Sequence, residues 1–182
     1  NMCSSFQCLP SVITVANYIN ESGYTNSLGN WVNEGGVRGN IASSSSSGPT
    51  RNGLIKPDIA ASGQTTVSSF PTYLLSYKTS AELADGGLHY KNGGTSMSSP
   101  VVAGIAALYL EKCNQANYQN FKSDLLDNAY SDNFTGTLPN YSFGYGKADG
   151  FQTLVSSGVN DTISQSACNN YIWNSTTYNS SG

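Results

Sequence analysis

The most informative run in this chain is Gly93-Gly94-Thr95-Ser96-Met97-Ser98-Ser99-Pro100-Val101-Val102-Ala103-Gly104. Paired glycines let the backbone turn sharply and let another chain approach it closely. A helix is expected directly after them, over residues 99–112, with Pro100 in its first turn, where a missing N–H is harmless. Val101, Val102, Ile105, Ala106, Leu108 and Leu110, with the small Gly104 and Ala107, make that helix apolar nearly all round. That is the pattern of a buried helix. A helix N-terminus presents unpaired N–H groups and favours negative charge. Two roles are therefore open to the hydroxyls of Ser96, Ser98 and Ser99. One is capping the helix; the other is attack on a carbonyl whose oxyanion the N–H groups stabilise.

Outward from this run the chain reads as alternating strand and helix. Pro10 to Tyr18 is an expected strand, with Val12, Ile13 and Val15 supplying β-branched bulk. Residues 20–40 are polar and glycine-rich, a loop or short hairpins around Trp31 and Val32. The serine run Ser43 to Ser47 returns at once to strand-like sequence over residues 53–61. A second helix is expected at Tyr118 to Tyr130, with Phe121, Leu125 and Leu126 on helical spacing. Gly144-Tyr145-Gly146-Lys147-Ala148-Asp149 leads into a short helix near Phe151 to Ser156. After Gly158 the chain becomes almost uncharged and rich in Asn, Ser, Thr and Tyr, so a domain boundary is expected there, between 1–158 and 159–182.

Composition narrows the function classes. Of 182 residues only 10% are Asp, Glu, Lys or Arg, against a typical quarter. The 8 Lys and Arg are scattered and outweighed by 11 Asp and Glu, for a net charge of −3, which excludes a basic nucleic-acid-binding face. There is no apolar run near the length of a membrane span. A neutral, Ser/Asn/Tyr-rich surface is common outside the cell. Cysteines stand at positions 3, 8, 113 and 168, with no C-x-x-C pair and a single His, so a zinc site is not expected. A local disulfide is expected between Cys3 and Cys8, whereas sequence leaves Cys113 and Cys168 unpaired. No signal peptide opens the chain, and with Asn1 in place of Met it is expected to be a fragment.

The G-T-S-M-S-S-P-V-V-A-G run resembles the nucleophile motif of the subtilisin-like serine proteases, the subtilases. The serine after Gly-Thr is the nucleophile in that family, which maps to Ser96. Ser98 stands where the family usually has Ala, and Val101 where it often has His. Three further segments agree in order. Residues 10–16 resemble the strand that usually ends in Val-Gly-Ala. Residues 47–63 are similar to the S-x-G-P-T-x-D-G-x-x-K-P-D-I-x-A-P-G segment, with Ser62 in place of proline and so a looser turn expected. Residues 144–149 resemble the G-Y-G-x-V-D stretch before the last helix.

The resemblance covers residues 10–157 and implies an α/β fold, the C-terminal half of a subtilisin-like doubly wound parallel sheet. It implies a serine endopeptidase of protein or peptide substrates, with an acyl-enzyme at Ser96 and with Gly93, Gly94 and Thr95 binding substrate. No cofactor is implied. Calcium is frequent in the family, but no D-x-D cluster here points to a site.

A serine nucleophile needs a base and a carboxylate to orient it, and this chain shows no counterpart of the family's Asp or of its H-G-T histidine. His89 lies seven residues before Ser96, next to Tyr90 and Lys91, and reads as an exposed loop residue. Asp58 and Asp149 match structural positions and are expected to accept backbone hydrogen bonds. Asn1, near the place of the family's oxyanion asparagine, is left unassigned. The chain alone is therefore expected to be inactive, with an open sheet edge, its partner being an upstream Asp- and His-bearing half of the same protein. The tail, with Cys168, Tyr171, Trp173 and Tyr178, resembles the start of short β repeats in secreted proteins of Bacteroidetes-type bacteria. A secreted or cell-surface bacterial location follows. The contrasting expectation is a non-catalytic surface or adhesion protein on a degenerate subtilase scaffold.

Overall fold

The computed structural model describes residues 3 and 7–157, together with the backbone of residues 170–173 and 176–179. Its centre is a parallel pair, β1 (Val15–Ile19) and β4 (Ile59–Gln64), in the register Val15↔Ile59, Ala16↔Ala60 and Asn17↔Ala61. Residues 145–148 extend the sheet beyond β4: Ala60 N donates to Gly146 O at 2.8 Å and Ala148 N to Ala60 O at 2.8 Å. On the far side of β1 the chain folds back antiparallel. Ile19 N donates to Asn40 O at 2.8 Å, and Ala42 N donates to Asn17 O at 2.9 Å. The edge expected to lie open is thus partly covered by the chain's own 39–42 segment.

Two antiparallel hairpins flank this centre. β2 (Gly23–Thr25) pairs with β3 (Trp31–Asn33), and β5 (Thr66–Ser69) with β6 (His89–Asn92). Helix α1 (Thr95–Lys112) lies across β1 and β4. Its Val102 and Tyr109 join Val15, Ile59, Ala61 and, from α2 (Tyr118–Asp127), Phe121 and Leu125 in the main core. Asn117 starts α2 with a capping box, its side chain accepting from Gln119 N and Asn120 N. Lys112 Nζ donates to Leu154 O at 2.7 Å and ties the end of α1 to α3 (Gly150–Ser156). In the tail, the backbone of β7 (Asn170–Trp173) and β8 (Thr176–Asn179) forms an antiparallel hairpin. Asn1 and Cys168 lie outside the described residues.

Several expectations are corrected. α1 begins at Thr95, four residues earlier than expected, so Pro100 sits inside it. The bond that Pro100 cannot donate is the one the Ser96 carbonyl would otherwise accept. Nor is α1 enclosed: Ser98, Val102 and Tyr109 are buried on one stripe, while Val101, Leu108 and Leu110 are 42%, 54% and 46% exposed. Apolar composition on every face says nothing about how many faces are covered among the described residues. β1 starts at Val15 rather than Pro10, because the Val12 carbonyl and the Thr14 N–H go to side chains. Ser62 lies within β4 opposite Tyr18, not in a turn. Cys3 is a free thiol, so the bridge to Cys8 is not formed here.

Two buried lysines hold the loops to the sheet. Lys56 and Asp58 are almost wholly buried and meet at 2.5 Å. The same Asp58 Oδ2 accepts from Thr14 N at 2.7 Å, and Oδ1 meets Lys122 Nζ at 2.7 Å. The ammonium groups continue outward, Lys56 donating to Val12 O at 2.5 Å and Lys122 to Pro10 O at 2.7 Å. Lys147 Nζ donates to Asp132 Oδ2 at 2.5 Å and to Gly39 O at 2.6 Å, 4.6 Å from the centre of the Tyr18 ring.

Removing a partner from a buried ion pair costs about 3–5 kcal/mol, because the remaining charge is left uncompensated. Asp58→Asn is therefore expected to lower unfolding free energy by about that amount, read as a fall in the denaturant midpoint. A second expectation concerns pH. Burial works against the charge of Asp132, but the Lys147 bond and the Phe134 N–H outweigh it and hold the carboxyl below its usual range. A lowered folded pKa gives stability that is present above the unfolded value of about 4 and lost as pH falls through the folded one. In thermal melts across that acid window, Asp132→Asn is expected to give a flatter dependence on pH than the native chain.

Candidate active site

Gly94 sets the start of α1. It occupies the N-cap position with φ +126°, a conformation that favours glycine, and no side chain caps the helix. Its N–H donates to Gly63 O at 3.1 Å, which fastens the turn to the end of β4. A Cβ on Gly63 would overlap the Ser98 hydroxyl and come within 2.7 Å of both Asn17 Oδ1 and the Gly94 carbonyl. The two glycines thus let the Gly93-Gly94 turn lie directly on the sheet. Capping is therefore not the role of any of the three serines: all lie within the helix.

The serines diverge in direction, as helical positions must. Ser98 points into the sheet and is fully buried. Ser96 is exposed and lines a cavity of about 300 Å3 together with Thr95 and Ser99. The opposite wall comes from Thr14, Ser46, Cys3 and Gln7. Met97 N and Ser98 N both point back to Gly94 O, at 2.9 and 3.3 Å. The N–H groups of the first turn, Thr95 and Ser96 among them, have no partner within a helix. A hydroxyl with unpaired N–H groups beside it, at the positive end of an 18-residue helix, suits attack on a carbonyl and stabilisation of the resulting anion.

Among the described residues, neither His nor any carboxylate lines the Ser96 cavity. His89 is exposed at the head of β6, its backbone paired with Ser69, and stands apart from that cavity. Asp149 caps α3, accepting from Gln152 N at 2.9 Å, and Asp58 accepts from Thr14 N; both take the backbone-bonding role expected of them. Burial, and then the neighbouring Cys8, push the Cys3 thiol pKa up. Calcium finds no set of three or more carboxylate, His or Cys side chains gathered to hold it among the described residues. Of the residues expected there, Thr95 and Ser96 line this cavity and Gly93 and Gly94 do not; Thr14, Ser46 and Cys3 line it unexpectedly, since no local pattern links positions 3, 14 and 46 with 96.

The profile of the Subtilase family, peptidase S8, matches residues 4–146, well over half of the chain. The chain belongs to the subtilase family. The relatives it matches are longer. Protein aq_aa18 of Aquifex aeolicus (strain VF5) is 39% identical over 94 residues, 52% of this chain and 42% of that protein. Serine protease AprX of Bacillus subtilis (strain 168) is 42% identical over 74 residues, 40% of this chain and 16% of that one. The chain thus spans less than half the length of these curated relatives. Among solved structures, fervidolysin from Fervidobacterium pennivorans, a keratinolytic enzyme related to subtilisin, superimposes with a TM-score of 0.57 at 24% identity. That match covers 82% of this chain and 20% of fervidolysin, and shows the shared fold. The CspB protease of Clostridium perfringens does so with a TM-score of 0.52 at 26% identity, covering 82% of this chain and 28% of its own.

Gly63→Ala tests the contact between turn and sheet. The Ser98 hydroxyl can rotate away from a new methyl, but the Gly94 carbonyl is backbone and must move. Overpacking of this kind costs about 1–3 kcal/mol, and a matching drop in melting temperature is expected, with local exposure of residues 93–97 seen by amide hydrogen exchange.

Proposed function

We propose that this subtilase chain supplies the nucleophile of a serine endopeptidase acting on protein or peptide substrates. The observation that carries the reading is the position of Ser96: an exposed hydroxyl in the first turn of α1, behind a glycine turn and opening into a cavity. In this reading Ser96 Oγ attacks the scissile carbonyl carbon while a histidine takes its proton. The oxyanion is met by the Ser96 N–H, and the leaving amine receives the proton from the same histidine. Water then hydrolyses the acyl-Ser96 ester. Gly93, Gly94 and Thr95 line the path of the substrate backbone. No cofactor takes part, and no calcium site is assigned.

The histidine, and the aspartate that orients it, come from an Asp- and His-bearing segment outside the described residues, belonging to the same protein. Two observations support this. No base lies at the Ser96 cavity among the described residues, and on α1 Val101 and Leu108 on one flank of the buried stripe, and Leu110 on the other, stand exposed among the described residues. Exposed apolar surface of this kind marks a place where another polypeptide packs. We place the protein outside a bacterial cell, in keeping with its low charge, and assign residues 159–182 to a linker or the opening of a downstream β repeat. Among the described residues, no helix is long and apolar enough to cross a membrane.

A fluorophosphonate probe, which modifies only an activated serine, tests this reading. The chain by itself is expected to stay unlabelled. Together with its Asp- and His-bearing segment it is expected to be labelled at Ser96, and Ser96→Ala is expected to abolish labelling and to lower peptide hydrolysis by about 10⁴-fold or more. Absence of labelling in the complete protein would instead favour a non-catalytic surface protein on a subtilase scaffold.

A further inference from the structure

Ser98 stands two residues beyond Ser96 on α1 and faces the opposite way, into the sheet. Its hydroxyl donates to Asn17 Oδ1 on β1, at 3.1 Å and across 81 positions of sequence. Both side chains are completely buried. Asn17 uses its other end as well: Nδ2 donates to Gln64 Oε1, at the end of β4, at 3.4 Å. That same oxygen lies 3.1 Å from where a Cβ on Gly93 would stand. The amide plane of Asn17 therefore touches the nucleophile helix on one side and the residue beneath the glycine turn on the other.

The orientation of Asn17 is strongly determined. Its backbone is held by Ser45 Oγ, which accepts from Asn17 N at 3.0 Å, and by Ala42 N, which donates to Asn17 O at 2.9 Å. Gly63 packs so closely against Ser98 and Asn17 that even a methyl group has no room there. A buried hydroxyl without a partner is costly, so Ser98 is drawn to its one acceptor and the first turn of α1 is drawn with it. The position that the family usually fills with Ala holds, in this chain, a group that must be aimed.

We infer that Asn17 is a positioning residue for Ser96, acting through Ser98 to set the direction of the Ser96 Oγ and N–H. The inference rests on Ser96 being the nucleophile. Small displacements of a reacting group change rates by tenfold to about a hundredfold, so loss of this aim has a kinetic signature.

The test compares Asn17→Ala, Ser98→Ala and Asn17→Asp with the native sequence in the complete protein, with its Asp- and His-bearing segment in place. Asn17→Ala and Ser98→Ala are expected to slow fluorophosphonate labelling and kcat by about tenfold or more, with KM little changed. Asn17→Asp keeps an oxygen where Ser98 needs one and lets Gln64 turn its amide to donate, so labelling is expected to return to within about threefold of native. In parallel, amide hydrogen exchange over residues 95–99 is expected to quicken at least tenfold in Ser98→Ala, the smallest change, while residues 106–112 keep their protection. Native labelling rates in both alanine variants, or unchanged exchange over 95–99, overturn the inference. If the native protein is not labelled at all, the nucleophile reading fails, and the exchange arm alone decides whether Asn17 anchors the turn.

Discussion

The carboxylate of Asp58 ties the chain entering β1 to the chain entering β4. It stands just before β4 and accepts from the Thr14 N–H just before β1, so the two strands start level. Lys56 and Lys122 bring it two positive charges from opposite sides, and each also bonds a carbonyl of the 10–12 segment. Charges this deeply buried persist only when paired and hydrogen-bonded. The bonding pattern therefore admits one alignment of β1 against β4. A slip by a single residue would turn the side chains of β1 to the other face and take Asn17 away from α1.

That alignment carries upward to the site. With β1 and β4 level, Gly63 arrives under Gly94, whose N–H it receives, and α1 starts directly on the sheet. The divergence of Ser96 and Ser98 then follows from helical geometry: one hydroxyl opens to the cavity and the other enters the sheet. Nothing in this chain of consequences needs a long loop. The Ser96 hydroxyl sits on rigid elements, which hold a geometry more closely than loops do.

The same architecture leaves two features bare among the described residues. One stripe of α1 is spent on β1 and β4, while Leu108 and Leu110, on its two flanks, stand about half exposed among the described residues. The Ser96 cavity is likewise walled by hydroxyls, a thiol, an amide and apolar groups, with no His or carboxylate among the described residues. Both deficits lie around one helix.

How much of this was legible beforehand follows from where the information resides. Ser96, its preceding glycines, the helices and the family lie in short contiguous patterns, so the sequence by itself determined them. It also determined that Asp58 and Asp149 serve the backbone. The start of α1 at Thr95 escaped it, because Pro100 marked a boundary that the φ of Gly94 displaced. The one-sided burial of α1 escaped it too, since an apolar residue does not record whether anything covers it. Asn17 meeting Ser98, and Thr14 and Ser46 lining the cavity of Ser96, bring together residues dozens of positions apart. Only the tertiary structure decided these, because such partners are chosen by the register of a parallel sheet, and no local pattern in a chain encodes which distant strand will lie beside it.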